Sequence, residues 1–445
     1  MRRLIAMLGT AALLVGLCGC GASAKGVTLY DSSGALMGAA TAFGDTDGLT
    51  DPAYGGYTDI ILGEAIAAIA TATDTPVETV LTTFFKDGYS IHTAFDPAVF
   101  AALKAGYTQQ GEEGLDFGTA ITDHTGRLLA TYSVGAENFA ATTHSPHSAF
   151  KPLSVYAPAM EAGIVDWSTT ITDKPYKQMT DGNGNKQDWP KNPSGGYTYK
   201  KTTLYECIRQ SLNTAAVHCL SMLGVERSLN FLQQSFNLTL TYERDKTASA
   251  GGEEVIGNVA LGSLQSGVSP VQMAGYYQIF GNGGQYTAAH GVLEIRDRDG
   301  KVVYTADETP RQVIKQSTAV IMNHLLQGVV KGDGTGSGVG RTSVPVAAKT
   351  GTGDEYAENW CVGVTPQYSC AVYHGARKDG NVADELLGAI LQNLPEHTVT
   401  AFPTCDTVHK AVYCTKSGLL YGSGCTGMYV GYYDEADPPA TCRAH

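Results

Sequence analysis

The chain has 445 residues, with 30 Lys and Arg against 43 Asp and Glu, and a formal net charge of −13. Charged residues are 16% of the chain, below the roughly 25% of an average soluble domain, and 53 Gly with 17 Pro are too few for a collagen or a wholly disordered chain. The acidic balance argues against non-specific nucleic-acid binding, which needs Lys and Arg to displace counterions, and the length suits two or three domains with real cores.

Met1-Arg2-Arg3 followed by the mostly apolar residues 4–17 has the positive start and short apolar run of a secretory signal. As a helix that run rises ~21 Å, short of a ~30 Å hydrocarbon core, so a permanent membrane span is the weaker reading. Leu17-Cys18-Gly19-Cys20 resembles a bacterial lipoprotein box with Cys20 as the lipidated residue, while Ala22-Ser23-Ala24 suits ordinary cleavage before Lys25. Lipidation at Cys20 is the favoured expectation, and either route puts the mature chain outside the cytoplasm.

Residues 25–113 read as a small separate unit: 60–73 and 76–85 have helical spacing, 88–95 alternates as a strand, and 101–109 is helical. A second unit opens near residue 114 with strands at 115–122 and 127–134, joined by Asp123-His124-Thr125-Gly126, whose Asp and Gly suit a tight hairpin. Residues 148–237 are mostly helical, broken by a polar stretch at 174–201 that reads as a long loop or insertion. Residues 259–280 are apolar at helical spacing and end at Gly281-Asn282-Gly283-Gly284. Strands at 292–295 and 302–304, a helix at 317–330, a Gly-rich loop, adjacent strands at 344–348 and 359–373, and a helix at 383–394 complete the unit. Helices between two groups of strands predict an α/β (α+β) fold, a mixed sheet with helices packed on it. Residues 401–445 are rich in Cys, Tyr and Gly and read as a loop-dominated tail.

Three short motifs bear chemically useful side chains. In Ser148-Ala149-Phe150-Lys151-Pro152 the Ser and Lys are three apart and share one helix face. Pro152 is tolerated only near a helix start, which puts Ser148 where backbone N–H groups are unpaired and the helix dipole suits a developing oxyanion. A desolvated Lys151 loses its proton readily and can serve as base to the hydroxyl. Ser211-Leu212-Asn213 interrupts two helical runs, at residue types that compete with helical hydrogen bonding. Lys349-Thr350-Gly351-Thr352 follows a strand, and a cation with a hydroxyl beside a glycine can hold a carboxylate at close approach. Each motif alone has an ordinary structural reading: a surface Ser and Lys, an N-cap, a Lys-protected edge strand.

In this order the three form the set found in penicillin-binding proteins and serine β-lactamases, and the chain resembles the transpeptidase module of class A penicillin-binding proteins. The resemblance covers roughly residues 60–445. Residues 114–135 look like the opening hairpin of that module. Ala260-Leu261-Gly262, Val268-Ser269-Pro270 and residues 280–284 look like its central helix and loop, and Asn359-Trp360 with residues 362–366 like the neighbour of its motif strand. Gly88-Tyr89-Ser90-Ile91 with Phe95-Asp96-Pro97 looks like the preceding linker, and Cys414, Ser417-Gly418, Cys425 and Cys442-Arg443-Ala444-His445 like the tail of some Gram-positive members.

The resemblance implies an export signal (1–24), an N-terminal linker or pedestal (25–113), a penicillin-binding transpeptidase domain (114–400) and a Cys-rich tail (401–445). It implies a D,D-transpeptidase that needs no cofactor and no resident metal. Ser148 would be the nucleophile, Lys151 its base, Ser211 and Lys349 the proton path to the leaving group, and Asn213 the holder of the substrate amide. Thr350, Gly351 and Thr352 would line the carboxylate and oxyanion positions. Peptidoglycan stem peptides and β-lactams are the implied partners. The implied setting is the outer face of the bacterial cytoplasmic membrane or the cell wall, reached through the signal or a lipid on Cys20, with no nucleic acid. No glycosyltransferase motif appears ahead of the module, so a monofunctional enzyme working beside a separate glycosyltransferase is expected. D,D-carboxypeptidase, serine β-lactamase and a non-enzymatic β-lactam sensor or wall scaffold are the alternatives. Two residues depart from the family pattern: His147 and Ala348 stand where many relatives have Gly. Glu226-Arg227-Ser228-Leu229-Asn230 matches a β-lactamase string but follows Ser211 too soon, so a solvated helix face and slow deacylation are expected. Residues 332–338 hint at a phosphate loop but lack the following Lys-Ser/Thr, and a turn is expected there.

Of the ten cysteines, Cys18 and Cys20 belong to the signal. The rest form an even set in an oxidising compartment. Chain position suggests Cys207 with Cys219, Cys361 with Cys370, and Cys405, Cys414, Cys425 and Cys442 within the tail. One straight helix would hold Cys207 and Cys219 ~18 Å apart, so that pair requires a break at Ser211-Leu212-Asn213. Cys361 faces Cys370 only across a four-residue loop at 364–367; a two-residue Pro366-Gln367 loop makes them diagonal. Cys405, His409, Cys414, Cys425, Cys442 and His445 also have the residue types of a zinc site, with disulfides the expectation.

Overall fold

The computed structural model describes residues 26–110, 116–180, 184–249, 253–354, 357–375 and 382–443; the expected signal with Cys18 and Cys20, and His445, lie outside them. The first segment forms β1 (Val27–Tyr30), β2 (Leu36–Ala40), α1 (Gly55–Ala72), α2 (Val77–Asp87), β3 (Ser90–Thr93) and α3 (Pro97–Gln110). The hairpin β4 (Phe117–Asp123) and β5 (Leu128–Val134) follows. Its turn forms as the sequence predicts: the Asp123 carboxylate accepts from the N–H groups of Thr125 and Arg127 at 2.9 and 3.0 Å, and Gly126 takes a φ of 88°. The first motif leads into α4 (Ala157–Glu161).

The described part of the polar stretch at 174–201 contains strands where a loop was expected. It lies among β6 (Thr170–Thr172), β7 (Lys177–Thr180), β8 (Lys186–Trp189) and β9 (Lys201–Thr203), paired β6 with β9 and β7 with β8. Then come α5 (Leu204–Arg209), α6 (Asn213–Leu223), α7 (Val225–Phe236), α8 (Thr241–Ser249), α9 (Glu253–Leu261) and α10 (Pro270–Tyr277). Ser269 and Gln272 close a capping box at the start of α10, with Pro270 in its first turn. The remainder is β10 (Gln285–Tyr286), β11 (Val292–Arg296), β12 (Val302–Thr305), β13 (Arg311–Gln312), α11 (Gln316–Val329), β14 (Ala347–Thr352), β15 (Glu358–Val364), β16 (Tyr368–Gly375), α12 (Ala383–Asn393), β17 (Val408–Cys414) and β18 (Met428–Asp434).

The central sheet is antiparallel in the order β14-β15-β16-β4-β5. Helix α10 packs on β4, β15 and β16, while α12 packs on β15, β16 and α3. Every residue of β16 is buried, as expected of a strand covered on both faces. β14 is an edge strand, and it carries the Lys-Thr-Gly motif.

The second sheet runs β12-β11-β3-β1-β2 and crosses the domain boundary expected at residue 114. β11 and β12 come from within the expected transpeptidase domain, yet β11 pairs antiparallel with β3. Conversely, α3 lies before residue 114 but packs against α12. Strand pairing and helix docking are long-range choices that a local period does not encode. Glu64 of α1 reinforces the crossing by accepting from the N–H of Gly291 at 2.8 Å, and the Tyr57 hydroxyl donates to the Leu128 carbonyl at 2.9 Å.

The tail also departs from expectation, since β17 and β18 pair over their full seven residues. Register decides the fate of Cys361 and Cys370. Thr365 N–H donates to the Tyr368 carbonyl at 2.8 Å, leaving a two-residue Pro366-Gln367 turn. Cys361 therefore stands opposite Val372, and Cys370 opposite Gly363, a diagonal relation. Cys207, Cys219, Cys361 and Cys370 are all buried thiols. The break between α5 and α6 is present, but the Cys207 sulfur is directed to the Thr202 carbonyl at 3.6 Å.

Candidate active site

Residues His147–Phe150 form one 3-10 turn, closed by Lys151 N–H on the Ser148 carbonyl and followed after Lys151 by the wide turn Pro152–Tyr156 and by α4. In a 3-10 turn residues three apart eclipse, so Ser148 and Lys151 share a face as the spacing implies. The segment is pinned from several sides. The Tyr277 hydroxyl donates to the Ala149 carbonyl, Ser154 Oγ donates to the Val259 carbonyl at 2.9 Å, and Ser228 Oγ donates to the Ser154 carbonyl at 2.6 Å. Ser148 remains half-buried, while Lys151 is fully buried.

Helices α5 and α6 are interrupted where the second motif stands. Ser211 adopts a left-handed φ of 55° and is 4% exposed. Lys151 Nζ donates to the Ser211 carbonyl at 2.9 Å and to Asn213 Oδ1 at 2.6 Å, with Ser211 Oγ at 3.5 Å. From the sheet side, Lys349 Nζ donates to Ser211 Oγ at 2.8 Å and to the Thr350 carbonyl at 3.0 Å. Two fully buried amines thus converge on one hydroxyl. Burial pushes Lys151 well below its ordinary value, and the charge of Lys349 pushes it further. Burial alone takes Lys349 down to about 7. A lysine in this state is available as a base at neutral pH.

The third motif passes beside the serine turn. A Cβ on Gly351 would lie 2.4 Å from the Pro146 carbonyl oxygen and 3.0 Å from Ala149 N, so only glycine lets β14 approach this closely. Gly262 meets the turn from the other side: its φ is 71°, and a Cβ there would lie 2.0 Å from the His147 carbonyl oxygen. Its own carbonyl accepts from His147 N–H at 2.9 Å and Ser145 Oγ at 3.0 Å. Thr350 Oγ1 and Thr335 Oγ1 are hydrogen-bonded at 2.9 Å, which places the Gly-rich loop beside β14. Thr335 N–H donates to the Arg209 carbonyl at 3.2 Å, tying that loop to the end of α5. This is the turn expected from sequence.

Both departures from the family pattern are accommodated. Ala348 stands across the sheet from Gly363, which leaves its methyl room. His147, with a φ of 46°, brings Nε2 to 3.0 Å from Glu358 Oε2. Burial raises the Glu358 carboxyl, but the hydrogen bond with His147 and the charges of His147 and His144 outweigh it and hold it low. His144 stacks on Tyr373 at 4.0 Å. Sequence reading missed the Glu358 pairing because the partners are distant in the chain.

It also missed what holds Asn213. Asn213 Nδ2 donates to the Lys191 carbonyl at 2.7 Å. Asn192 Nδ2 and Thr214 Oγ1 donate to Asp173 Oδ1 at 2.7 and 2.8 Å, and Thr198 donates N–H and hydroxyl to Asp173 Oδ2 at 2.8 and 2.9 Å. Burial works against the Asp173 charge, but these donors hold its pKa below the ordinary value. The polar stretch thus returns to brace the site; in sequence its only signal was a polar composition. Glu226 lies on α7, 56% exposed, with Oε1 accepting from Arg244 at 2.7 Å, a solvated helix face as expected.

Residues 117–392 match the family model described as penicillin binding protein transpeptidase domain. Penicillin-binding protein 4 of Bacillus subtilis (strain 168) is 27% identical over 326 residues, covering 71% of this chain and 48% of the relative. Penicillin-binding protein 1A of Clostridium acetobutylicum is 33% identical over 231 residues, covering 51% and 27%. The chain therefore spans less than half the length of these relatives. Among solved structures, the D,D-transpeptidase domain of a peptidoglycan glycosyltransferase from Eggerthella lenta has a TM-score of 0.58 at 18% identity, covering 83% of this chain and 97% of that one. Penicillin-binding protein A from M. tuberculosis, as its imipenem acyl-enzyme complex, has a TM-score of 0.61 at 19% identity, covering 83% and 98%. These likenesses agree with the sheet flanked by helices described above. The chain belongs to the penicillin-binding protein transpeptidase domain family.

Proposed function

We propose that the chain is a peptidoglycan D,D-transpeptidase that forms an acyl-enzyme on Ser148 and is acylated there by β-lactams. The observation that carries this reading is the convergence of two fully buried lysines, Lys151 and Lys349, on Ser211, with Ser148 on the same turn as Lys151. Ser148 Oγ attacks the carbonyl between the two D-alanines while Lys151, neutral because it is buried, takes the proton. The new oxyanion is held by the backbone N–H groups of Ser148 and Thr352. As the C–N bond breaks, Ser211 gives a proton to the leaving D-Ala amine and is resupplied through Lys349 or Lys151. The cation of Lys349 and the hydroxyl of Thr350 hold the terminal carboxylate, and Gly351 permits its approach. Asn213 orients Lys151 through Oδ1; it takes up the substrate amide by releasing the Lys191 carbonyl. An acceptor amine then attacks the ester, restores Ser148 and leaves a cross-link, whereas water leaves a shortened stem peptide. These steps call on no cofactor.

In this reading the enzyme works outside the cytoplasm, held to the membrane by a lipid on Cys20. The surface pairing of Glu226 with Arg244 supports slow hydrolysis of the acyl-enzyme over β-lactamase action. Labelling with fluorescent penicillin tests the proposal. The native protein is expected to form a long-lived adduct that Ser148→Ala abolishes. No labelling of the native protein overturns the proposal, and loss of label within seconds turns it toward β-lactamase. Stem-peptide turnover that yields a cross-link only when an acceptor amine is present supports transpeptidation; release of D-Ala without any cross-link turns the reading to a carboxypeptidase.

A further inference from the structure

The tail brings three sulfurs together where a disulfide framework would bring two. Cys414 ends β17, Cys425 lies in the loop before β18, and Cys442 lies in the terminal segment beside that loop. Cys442 N–H donates to the Leu420 carbonyl at 2.8 Å, and Leu420 N–H donates to the Ala440 carbonyl at 3.0 Å. The three Sγ atoms all lie within 4.8 Å of one another, and all three residues are buried. Cys405, which a two-disulfide tail would need, has its sulfur 3.3 Å from Thr407 Oγ1 and stands outside the cluster.

We infer that Cys414, Cys425 and Cys442 form a thiolate site for a zinc ion, which staples the tail hairpin. A tetrahedral ion with Zn–S bonds of about 2.3 Å sets its sulfurs about 3.8 Å apart, so this cluster needs only small shifts to close on one ion. A disulfide needs two sulfurs at about 2.05 Å and leaves the third without a role. Backbone donors reach two of the sulfurs. Gly422 N–H donates to the Cys425 sulfur at 3.5 Å, and the backbone N–H groups of Lys416 and Ser417 point to the Cys414 sulfur. An open cavity lined by Gly422, Ser423, Ala440, Thr441, Cys442 and Arg443 reaches the cluster at Cys442 and gives the ion an entry path. Binding forms three Zn–S bonds and releases to solvent the protons of whichever thiols are still protonated, with no change of oxidation state.

The staple bears on the rest of the molecule. The Gly418 carbonyl, in the same loop as Cys425, accepts from Ser168 Oγ at 2.5 Å. Tyr433 of β18 donates to Ser168 Oγ at 2.7 Å. The adjacent Trp167 stacks on Tyr205 of α5 at 5.1 Å, and α5 ends at the Ser211 break. The ion thus steadies a hairpin packed behind one wall of the active site.

The test uses the full chain purified without chelator or reductant. Metal analysis is expected to give about one zinc per chain, lost in Cys425→Ser and kept in Cys405→Ser. Cobalt(II) added to chelator-stripped native protein is expected to give an intense thiolate-to-cobalt absorption band, a reading that needs no variant. An S–S bond mapped between any two of Cys414, Cys425 and Cys442, or free thiols with no cobalt band, overturns the inference.

Discussion

Gly351→Ala is the sharpest probe of how the edge strand serves the proposed nucleophile, Ser148. The added methyl would sit 2.4 Å from the Pro146 carbonyl oxygen and 3.0 Å from Ala149 N. An ordinary carbon–oxygen contact is about 3.3 Å, so β14 and the serine turn must separate by ~0.9 Å. Both obstacles are backbone, and the turn is tethered through Ala149, Ser154 and Gly262, so no rotamer change relieves the clash. Overpacking of this kind costs about 1–3 kcal/mol of stability. Its effect on chemistry is larger in proportion, because a displacement of ~1 Å between reacting groups costs about 100-fold in rate. The second-order rate of acylation by fluorescent penicillin is therefore expected to fall about 100-fold, with a folded protein retained in thermal melts. Gly353→Ala is the control: its Cβ would meet the end of the His147 ring at 2.8 Å and the Glu358 backbone O and N at 3.2 and 3.3 Å, a milder clash with backbone, and it is expected to cost severalfold at most. Acylation of Gly351→Ala within threefold of native would refute the reasoning.

Ser211→Ala removes the hydroxyl shared by Lys349 and Lys151 and is expected to lower acylation about 10²–10⁴-fold, the span of a lost general acid–base group; an unchanged rate removes Ser211 from the proton path. Lys349, taken down to about 7 by burial, is cationic below that pH and neutral above it. Substrate KM is therefore expected to rise as pH climbs through about 7, by up to about tenfold per unit, while a peptide amidated at its C-terminus shows no such rise. Equal profiles for the two peptides contradict the carboxylate role of Lys349. Asp173→Ala strands the donors of Thr198, Asn192 and Thr214, each orphaned group costing about 1–3 kcal/mol. Urea unfolding is expected to show that loss, with slower acylation in the folded fraction because Asn213 is less firmly braced; full stability would make the network decorative.

How much of this was legible in the sequence depends on whether the feature is local. Pro152 and the three-residue spacing place Ser148 and Lys151 on one turn, and Asp123 with Gly126 writes its own hairpin. The break at Ser211-Leu212-Asn213 follows from residues that compete with helical hydrogen bonding. What failed was partnership. β11 reads as a strand but says nothing of β3, so the sheet that spans the boundary expected at residue 114 was not legible. Asp173, Asn192 and Glu358 were invisible as site residues because their roles depend on donors that arrive from 19 to 211 positions away.

The burial of the two lysines shows the same limit at the candidate site and explains why it matters. A Ser-x-x-Lys sequence specifies proximity, and proximity alone would leave Lys151 a cation at neutral pH, useless as a base. In the proposed mechanism its basicity comes from its full burial, and from a neighbour of like charge on β14. Between them the two Nζ groups have carbonyl, amide and hydroxyl oxygens as partners, which bind an amine in either protonation state. A carboxylate there would lock the proton on. Introducing one, as in Asn213→Asp, is therefore expected to raise Lys151 back toward its ordinary range and shift the acid limb of the acylation profile upward in pH. If the limb stays in place, Lys151 is not the base.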